Sequence, residues 1–340
     1  MPRSQGHTVV VLESGEAWAF GANKSGQLGS GSVKNKPKED DVSLTPVRCV
    51  VEGVASVAAG QDFTAWVTKT GELLTAGNPQ YGVLGHGTDH EFNCKDGAVK
   101  LAYQPQPVPA VVQAFAKTGT KVSKVAAGQA HFVAVDGVGK VYTWGNGGYG
   151  RLGHKEQKDE WLPKQVLIQG GDRNLCPADC VVAAGSTSSF VSAAQGQLYF
   201  WGKTKVNGDN AMYPRPYMEL SGWVPLSFCA GATTFACVTE SSTITWGHAA
   251  HGELGYGAEG KKSSANPEKV GRLEGMRMLA VSAGVGHMLL LAAPGEQLAK
   301  LPVWAPPADA PEAAGAGGGE AEGGKKRKGA AGEAAGGKKR

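Results

Sequence analysis

Gly145-Asn-Gly147-Gly-Tyr-Gly150 has the spacing of a dinucleotide-binding turn, and Gly255 to Gly260 followed by Lys261-Lys262 approaches that of a phosphate loop. Both chemistries require a helix N-terminus facing the phosphates. After Gly150, however, Arg151-Leu-Gly-His154 opens another glycine-punctuated turn. Lys262 stands where a Ser or Thr must hold Mg²⁺. Both stretches therefore read as loops. His7, His131 and His287 each follow a recurring glycine and offer the nitrogens of a metal trio. Repeated positions fall on separate structural units, so these histidines read as satisfying local groups, as do His86 and His154. Cys176-Pro-Ala-Asp-Cys180 offers a metal or redox pair but lacks the two-residue spacing and any second pair. Cys49, Cys94, Cys176, Cys180, Cys229 and Cys237 are expected to stay reduced. No Ser/His/Asp or Cys/His constellation stands out. The expectation is a protein that binds, with no catalytic residue, no metal and no cofactor.

A different chemistry is offered by Lys325-Lys326-Arg327-Lys328 and Lys338-Lys339-Arg340, which lie nine residues apart. From about residue 305 the composition turns to Ala, Gly, Glu and Lys, which cannot bury enough apolar surface to offset ordering. A disordered tail is expected over 305–340, and its basic clusters suit an importin groove. Phosphate contacts on nucleic acid and a merely solubilising role are the other readings. The net charge of +4 does not by itself mark a nucleic-acid surface. The N-terminal residues carry only about five apolar residues in a row before Glu13, too few for a signal segment. The run near Met288–Ala293 is far short of the ~18 residues that span a bilayer.

The elements that must carry these residues are repetitive. Gly makes up 51 of 340 residues, about twice its usual ~7%, and is spread along the chain. A small-small-Gly element recurs at Gly60, Gly128, Gly185, Gly231 and Gly284, with Gly6 in the matching place at the start. The first five, counted from Gly6, precede Phe20-Gly21, Ala76-Gly77, Trp144-Gly145, Trp201-Gly202 and Trp246-Gly247 by 15, 17, 17, 17 and 16 residues from Gly to Gly. Intervals between successive repeats are looser, at 54, 68, 57, 46 and 53 residues. A rigid spacing followed by a variable one describes a fixed hairpin and a loop that tolerates insertion. Phe132–Val135, a turn at Asp136–Gly139 and Val141–Trp144 read as β-hairpin strands, as do Phe63–Val67 with Glu72–Thr75 and Phe190–Ser192 with Gln197–Trp201. Each hairpin leads into a Gly-rich connection, Ser25–Gly29, Tyr81–Gly85, Tyr149–Gly153 and His251–Gly255, whose Leu should anchor it. Units near 16–69, 71–137, 139–194, 196–240 and 242–293, each worth about four strands, point to an all-β propeller over 1–304. Residues 88–120 and 154–180 are insertions suited to specificity, and Lys34–Asp41 is a charged loop.

Ala126-Ala-Gly-Gln-Ala-His-Phe-Val-Ala-Val135, with Val141-Tyr-Thr-Trp-Gly-Asn-Gly-Gly-Tyr-Gly-Arg-Leu-Gly-His154, resembles the signature of regulator of chromosome condensation repeats over about residues 5–293. Gly148–Glu160, Met212-Tyr-Pro214, Gly222-Trp223 and Gly252–Gly257 resemble its telophase-disc subgroup. The resemblance implies seven blades, association with chromatin or microtubule and spindle proteins, and contact with a small GTPase; with import by the basic tail, the expected location is the nucleus, with cytoplasm or spindle during division. The founding member is a guanine-nucleotide exchange factor, whereas for this subgroup the resemblance implies GTPase binding more than exchange. Only about six blades are represented. The abrupt start at Gly6-His7 favours a missing N-terminal blade over a smaller ring, and such a gap would leave an exposed strand edge. Ala76-Gly77 lacks the aromatic of its unit, so that blade should pack differently. The plant ultraviolet-receptor propellers carry Gly-Trp-Arg-His-Thr motifs, but Gly222-Trp223 is followed by Val-Pro. Trp144, Trp201 and Trp246 therefore read as blade core.

Overall fold

The computed structural model describes residues 6–33, 42–95, 97–168, 175–205, 207–257, 260–284 and 286–303. The chain divides into a unit over Met1–Ala299 and a second over Lys300–Arg340. The expected tail and its basic clusters lie outside the described residues, as does the Lys34–Asp41 loop. No helix among the described residues is long and apolar enough to cross a membrane.

The first unit is a succession of antiparallel meanders. β1 (His7–Val11), β2 (Ala17–Ala22) and β3 (Val42–Arg48) make a three-stranded sheet. Next come β4 (Val54–Ala59), β5 (Phe63–Thr68), β6 (Leu73–Gly77), a small hairpin of β7 (Glu91–Asn93) and β8 (Leu101–Tyr103), and β9 (Gln106–Val111). Strands β4, β5, β6 and β9 pair in that order as blade two. The short helix α1 (Gln113–Thr118) leads to blade three, formed by β10 (Val122–Ala127), β11 (His131–Asp136), β12 (Val141–Gly145) and β13 (Glu160–Val166). Blade four consists of β14 (Val182–Ala184), β15 (Ser188–Ser192), β16 (Leu198–Gly202) and β17 (Ala211–Pro216). In blade five, β18 (Ser227–Ala230), β19 (Thr234–Val238), β20 (Thr243–His248) and β21 (Ser263–Lys269) follow the same order. A sixth sheet holds β22 (Met278–Ala283) and β23 (Met288–Ala292) alone. The all-β propeller is thus present among the described residues, as four four-stranded blades flanked by a three-stranded sheet and by the β22–β23 pair.

The hairpin registers are those the spacing implies. Phe132 faces Trp144, Phe190 faces Phe200 and Phe235 faces Trp246. The 17-residue Gly-to-Gly interval covers one inner strand's end, the second strand and the third, so it lies within one blade. The variable interval falls on the third-to-fourth-strand connection and the fourth strand. Part of the 88–120 excursion is therefore β9, the outermost strand of blade two, and the rest contains the β7–β8 hairpin and α1. Each sequence unit straddles two blades: the unit near 139–194 supplies β12 and β13 to blade three, then β14 and β15 to blade four.

Blades stack face to face, so second strands β5, β11, β15 and β19 are buried almost throughout and show no polar alternation. Trp144, Trp201 and Trp246 are at most 1% exposed between blades. Trp144 Nε1 donates to the Val83 carbonyl at 2.8 Å, tying blade three to the loop of blade two. Where blade two carries Ala76, Trp66 from the paired strand β5 fills the space beside Leu28 and Ala76. Leu28, Leu84, Leu152 and Leu254 are buried loop anchors, as expected.

Candidate protein-interaction face

In each meander the connection from first to second strand and that from third to fourth emerge at the same end. One face of the propeller is therefore built only from loops, and the repeat glycines define it. Gly77, Gly145 and Gly202 end their third strands and Gly247 is the penultimate residue of β20, with φ of 122°, 105°, 90° and 118°. At Gly145 a Cβ would sit 2.6 Å from the Ala130 carbonyl oxygen, so a side chain is excluded by space as well as by backbone conformation. Gly60, Gly128, Gly185, Gly231 and Gly284 serve another purpose. A Cβ on Gly128 would lie 2.4 Å from the Gly185 carbonyl oxygen, and one on Gly231 would lie 2.7 Å from that of Gly284. Gly128, Gly185 and Gly231 thus let neighbouring blades converge on the axis, whereas Gly60 and Gly284 lie under rings of their own hairpins, Phe63 and His287. All five, with Gly6, line one cavity of about 410 Å³ at the mouth of the central channel.

Behind the mouth, a histidine bonds to a hydroxyl of the next blade. His7 Nε2 meets Thr64 Oγ1 at 2.7 Å, and Thr64 donates to the Gln27 carbonyl at 2.7 Å. His131 Nε2 meets Ser189 Oγ at 2.8 Å, and Ser189 donates to the Arg151 carbonyl at 2.7 Å. Because each hydroxyl spends its proton on a carbonyl, it must accept from the Nε2–H of a neutral ring. Burial holds His7 down at about 4. It holds His131 at about 3, with the nearby Arg151 guanidinium pushing the same way. His86 and His154 use the same device within a blade, bonding Thr75 and Thr143 at 2.9 and 3.0 Å. Both are also lowered, chiefly by burial. His287 packs its ring over Gly284. His7, His131 and His287 thus stand on separate blades, while His86 and His154 each bond within their own blade.

Two grooves flank the mouth. The one between blades two and three encloses about 320 Å³, lined by Gln61, Asp62, Tyr81, Gln129 and Arg151 among others. Burial raises the Asp62 carboxyl, opposed by the Lys24 charge. The larger groove, about 460 Å³, runs between blades four and five. Phe235, Trp246, Ala232 and Ala265 form its apolar part, Lys203, Lys205 and His248 bring basic groups, and Tyr149 closes one side. None of its described lining residues is acidic. Tyr149 has φ 61°, a left-handed conformation uncommon outside glycine, and Tyr81 takes φ 65° beside the smaller groove. The Gln157 side chain accepts the Tyr149 N–H at 3.0 Å, and the Lys203 ammonium lies 5.6 Å from its ring centre. Arg151 straps the arrangement by donating from Nε to the Gly148 carbonyl and from a terminal nitrogen to Ser186, both at 2.9 Å. This is the stretch whose glycine spacing suggested a nucleotide turn; a single 3₁₀ turn, Gly148–Gly150, stands there in place of a long helix. Beside blade two, β7 and β8 carry Phe92 and Leu101, 48% and 52% exposed, with Val99 between them 84% exposed.

Sequence reasoning found the glycines and tryptophans that build this face. It missed Tyr149, Lys203 and Lys205, which come from two units and meet only through the stacking of blades three and four.

The family model described as "Regulator of chromosome condensation (RCC1) repeat" matches residues 14–67, 70–135 and 138–192. Protein RCC2 of Homo sapiens is 35% identical over 319 residues, which cover 88% of this chain and 59% of that protein. The chain therefore spans about three fifths of the length of that relative. Ultraviolet-B receptor UVR8 of Arabidopsis thaliana is 29% identical over 298 residues, 85% of this chain and 62% of that one. Among solved structures, human WBSCR16 superposes with a TM-score of 0.68 at 23% identity, covering 84% of this chain and 70% of its own. With three consecutive repeats matched across about half of its residues and the blades they predict in place, the chain belongs to the regulator of chromosome condensation family of β-propellers.

Proposed function

We propose that this chain is an interaction propeller whose loop face binds a small GTPase, and that it works on chromatin or spindle components in the nucleus and during division. The observation that carries the reading is the groove between blades four and five. Lys203, Lys205 and His248 border an apolar floor, and no carboxylate lies among the described lining residues. Such a surface suits a protein partner presenting acidic side chains around an apolar anchor. The choice of a small GTPase as that partner rests on the family resemblance alone. Rigid blades hold the groove, so the binding residues are preorganised. The basic clusters at Lys325–Lys328 and Lys338–Arg340 support import through an importin, with DNA contact as their other use.

The test uses a panel of small GTPases loaded with fluorescent GDP. Binding and nucleotide release are followed with the wild-type chain and with a Lys203→Glu, Lys205→Glu double variant. The expected result is saturable binding to one member, weakened by about tenfold or more in the variant. Binding that ignores the charge reversal would refute the groove as the site. Accelerated GDP release, with tightest binding to the nucleotide-free GTPase, would replace the scaffold reading with that of an exchange factor, because exchange requires preferential binding of the empty state.

A further inference from the structure

The smaller groove, between blades two and three, shares no lining residue with the groove of Lys203 and Lys205. It encloses about 320 Å³. Asp62 and Gln129 reach it from the turns between first and second strands, and Asn78, Asn146 and Arg151 from the loops after the third strands. Arg151 is 6% exposed. Both of its hydrogen bonds go to neutral acceptors, the Gly148 and Ser186 carbonyls. The carboxylate that acts on it through space, Asp159, already accepts the Gly147 N–H at 2.8 Å. Arg151 makes no ion pair among the described residues. A buried guanidinium held only by carbonyls is short of a counter-charge, and an anion entering the groove would supply one.

The neutral residues beside it have donors to spare. Asn78 Oδ1 accepts the Gln80 N–H at 3.1 Å, and Asn146 Oδ1 accepts the Gly148 N–H at 2.9 Å. A backbone N–H can only donate, so both asparagine orientations are fixed. Gln129 Oε1 accepts the Ser186 hydroxyl. The three amide oxygens are thus used locally, and their NH₂ groups are what these side chains have left to offer. Asp62 is the one acid among the described lining residues, and it too makes no ion pair among them.

We propose that this groove is a carboxylate clamp that takes a glutamate side chain from an extended acidic segment of a protein partner. One guanidinium and three amide donors match two oxygens that share a single charge. A phosphate dianion exceeds what one cation balances, and the Asp62 charge opposes it. The depth of Arg151 favours a side chain as the source. Glutamate carries its carboxylate on a two-methylene stem and reaches a buried cation while its main chain stays above the loops. A chain-terminal carboxylate sits on the main chain itself and lacks that reach. Asp62 is the specificity-determining residue, because it sets the limit on entering negative charge.

The test uses the full chain and short peptides at pH 7.5, with binding read by saturation-transfer NMR, which detects weak ligands. Acetyl-Gly-Glu-Gly-amide should bind saturably, and the neutral isostere acetyl-Gly-Gln-Gly-amide should bind about tenfold more weakly or worse. Acetyl-Gly-Gly-Gly with a free C-terminus probes the chain-end source, and inorganic phosphate probes the dianion. Gln129→Glu and Asn78→Asp keep the oxygens that accept from Ser186 and Gln80, but each replaces an NH₂ with negative charge. Each should weaken the glutamate peptide by about tenfold or more. The Lys203→Glu, Lys205→Glu double variant should bind this peptide as wild type does, which separates the clamp from the proposed GTPase site. Asp62→Asn should let phosphate displace the peptide. Equal binding of the Glu and Gln peptides, or indifference to both isosteric variants, would overturn the clamp. A wild-type preference for the free C-terminus or for phosphate would overturn the side-chain assignment, and phosphate exclusion by Asp62→Asn would overturn the role of Asp62.

Discussion

Replacing His131 with Phe should invert the order of stability between pH 7.5 and pH 5. Phe63 occupies the corresponding place in blade two, facing Gly77 as His131 faces Gly145, so the fold already accommodates a phenyl ring there. At pH 7.5 the variant loses the hydrogen bond to Ser189, while Ser189 keeps the Arg151 carbonyl as its acceptor. The cost is about 1 kcal/mol. As the pH falls, the unfolded chain takes a proton on His131 near 6.5, and the folded chain resists until about 3. A depressed folded value means that the stability is present above 6.5 and is lost on acidification. By pH 5 that loss is about 2 kcal/mol from this residue alone. The variant has no such group. It should therefore be about 1 kcal/mol less stable than wild type at pH 7.5 and about 1 kcal/mol more stable at pH 5. Urea unfolding followed by tryptophan fluorescence at both pH values measures the difference. Parallel loss of stability in the two proteins would refute the buried neutral imidazole.

Further outcomes follow from spacing at the channel mouth and between blades. Gly128→Ala places a methyl group against the Gly185 carbonyl and the His131 ring, both at 2.4 Å, and should cost about 2–3 kcal/mol in urea unfolding. Trp144→Phe and Trp201→Phe remove the same volume from equivalent positions. Trp144 Nε1 holds the Val83 carbonyl, whereas Trp201 Nε1 is buried without a partner. The first substitution should therefore be the more costly by about 1 kcal/mol, and equal losses would show that the inter-blade hydrogen bond contributes nothing.

The strands were legible where glycine spacing and apolar runs coincide. Phe132–Val135 is a continuous apolar run, as a strand covered on both faces must be, and Gly139 and Gly145 mark its turn and the end of its partner. Blade boundaries were not legible, because repeats align best across the fixed 17-residue interval, whereas a blade also includes the fourth strand beyond the variable loop. The substitution of Trp66 for the aromatic missing at Ala76 depends on a neighbouring strand's reach. The groove was hidden for a similar reason: Tyr149 and Lys203 are 54 residues apart, and nothing local marks them as neighbours. Histidine positions were visible too, although their Ser and Thr partners lie on different strands or in the next blade.

Because each unit ends halfway through a blade, the joints of the gene product and the joints of the ring are out of phase. Excising one whole unit would remove the outer half of one blade and the inner half of the next. The two halves left behind have matching strand order, and they could pair into a single hybrid blade. A ring of this kind can lose or gain a member without exposing a raw strand edge at the point of change. Its circumference is set by how many units are strung together, and each junction between blades is crossed by continuous chain.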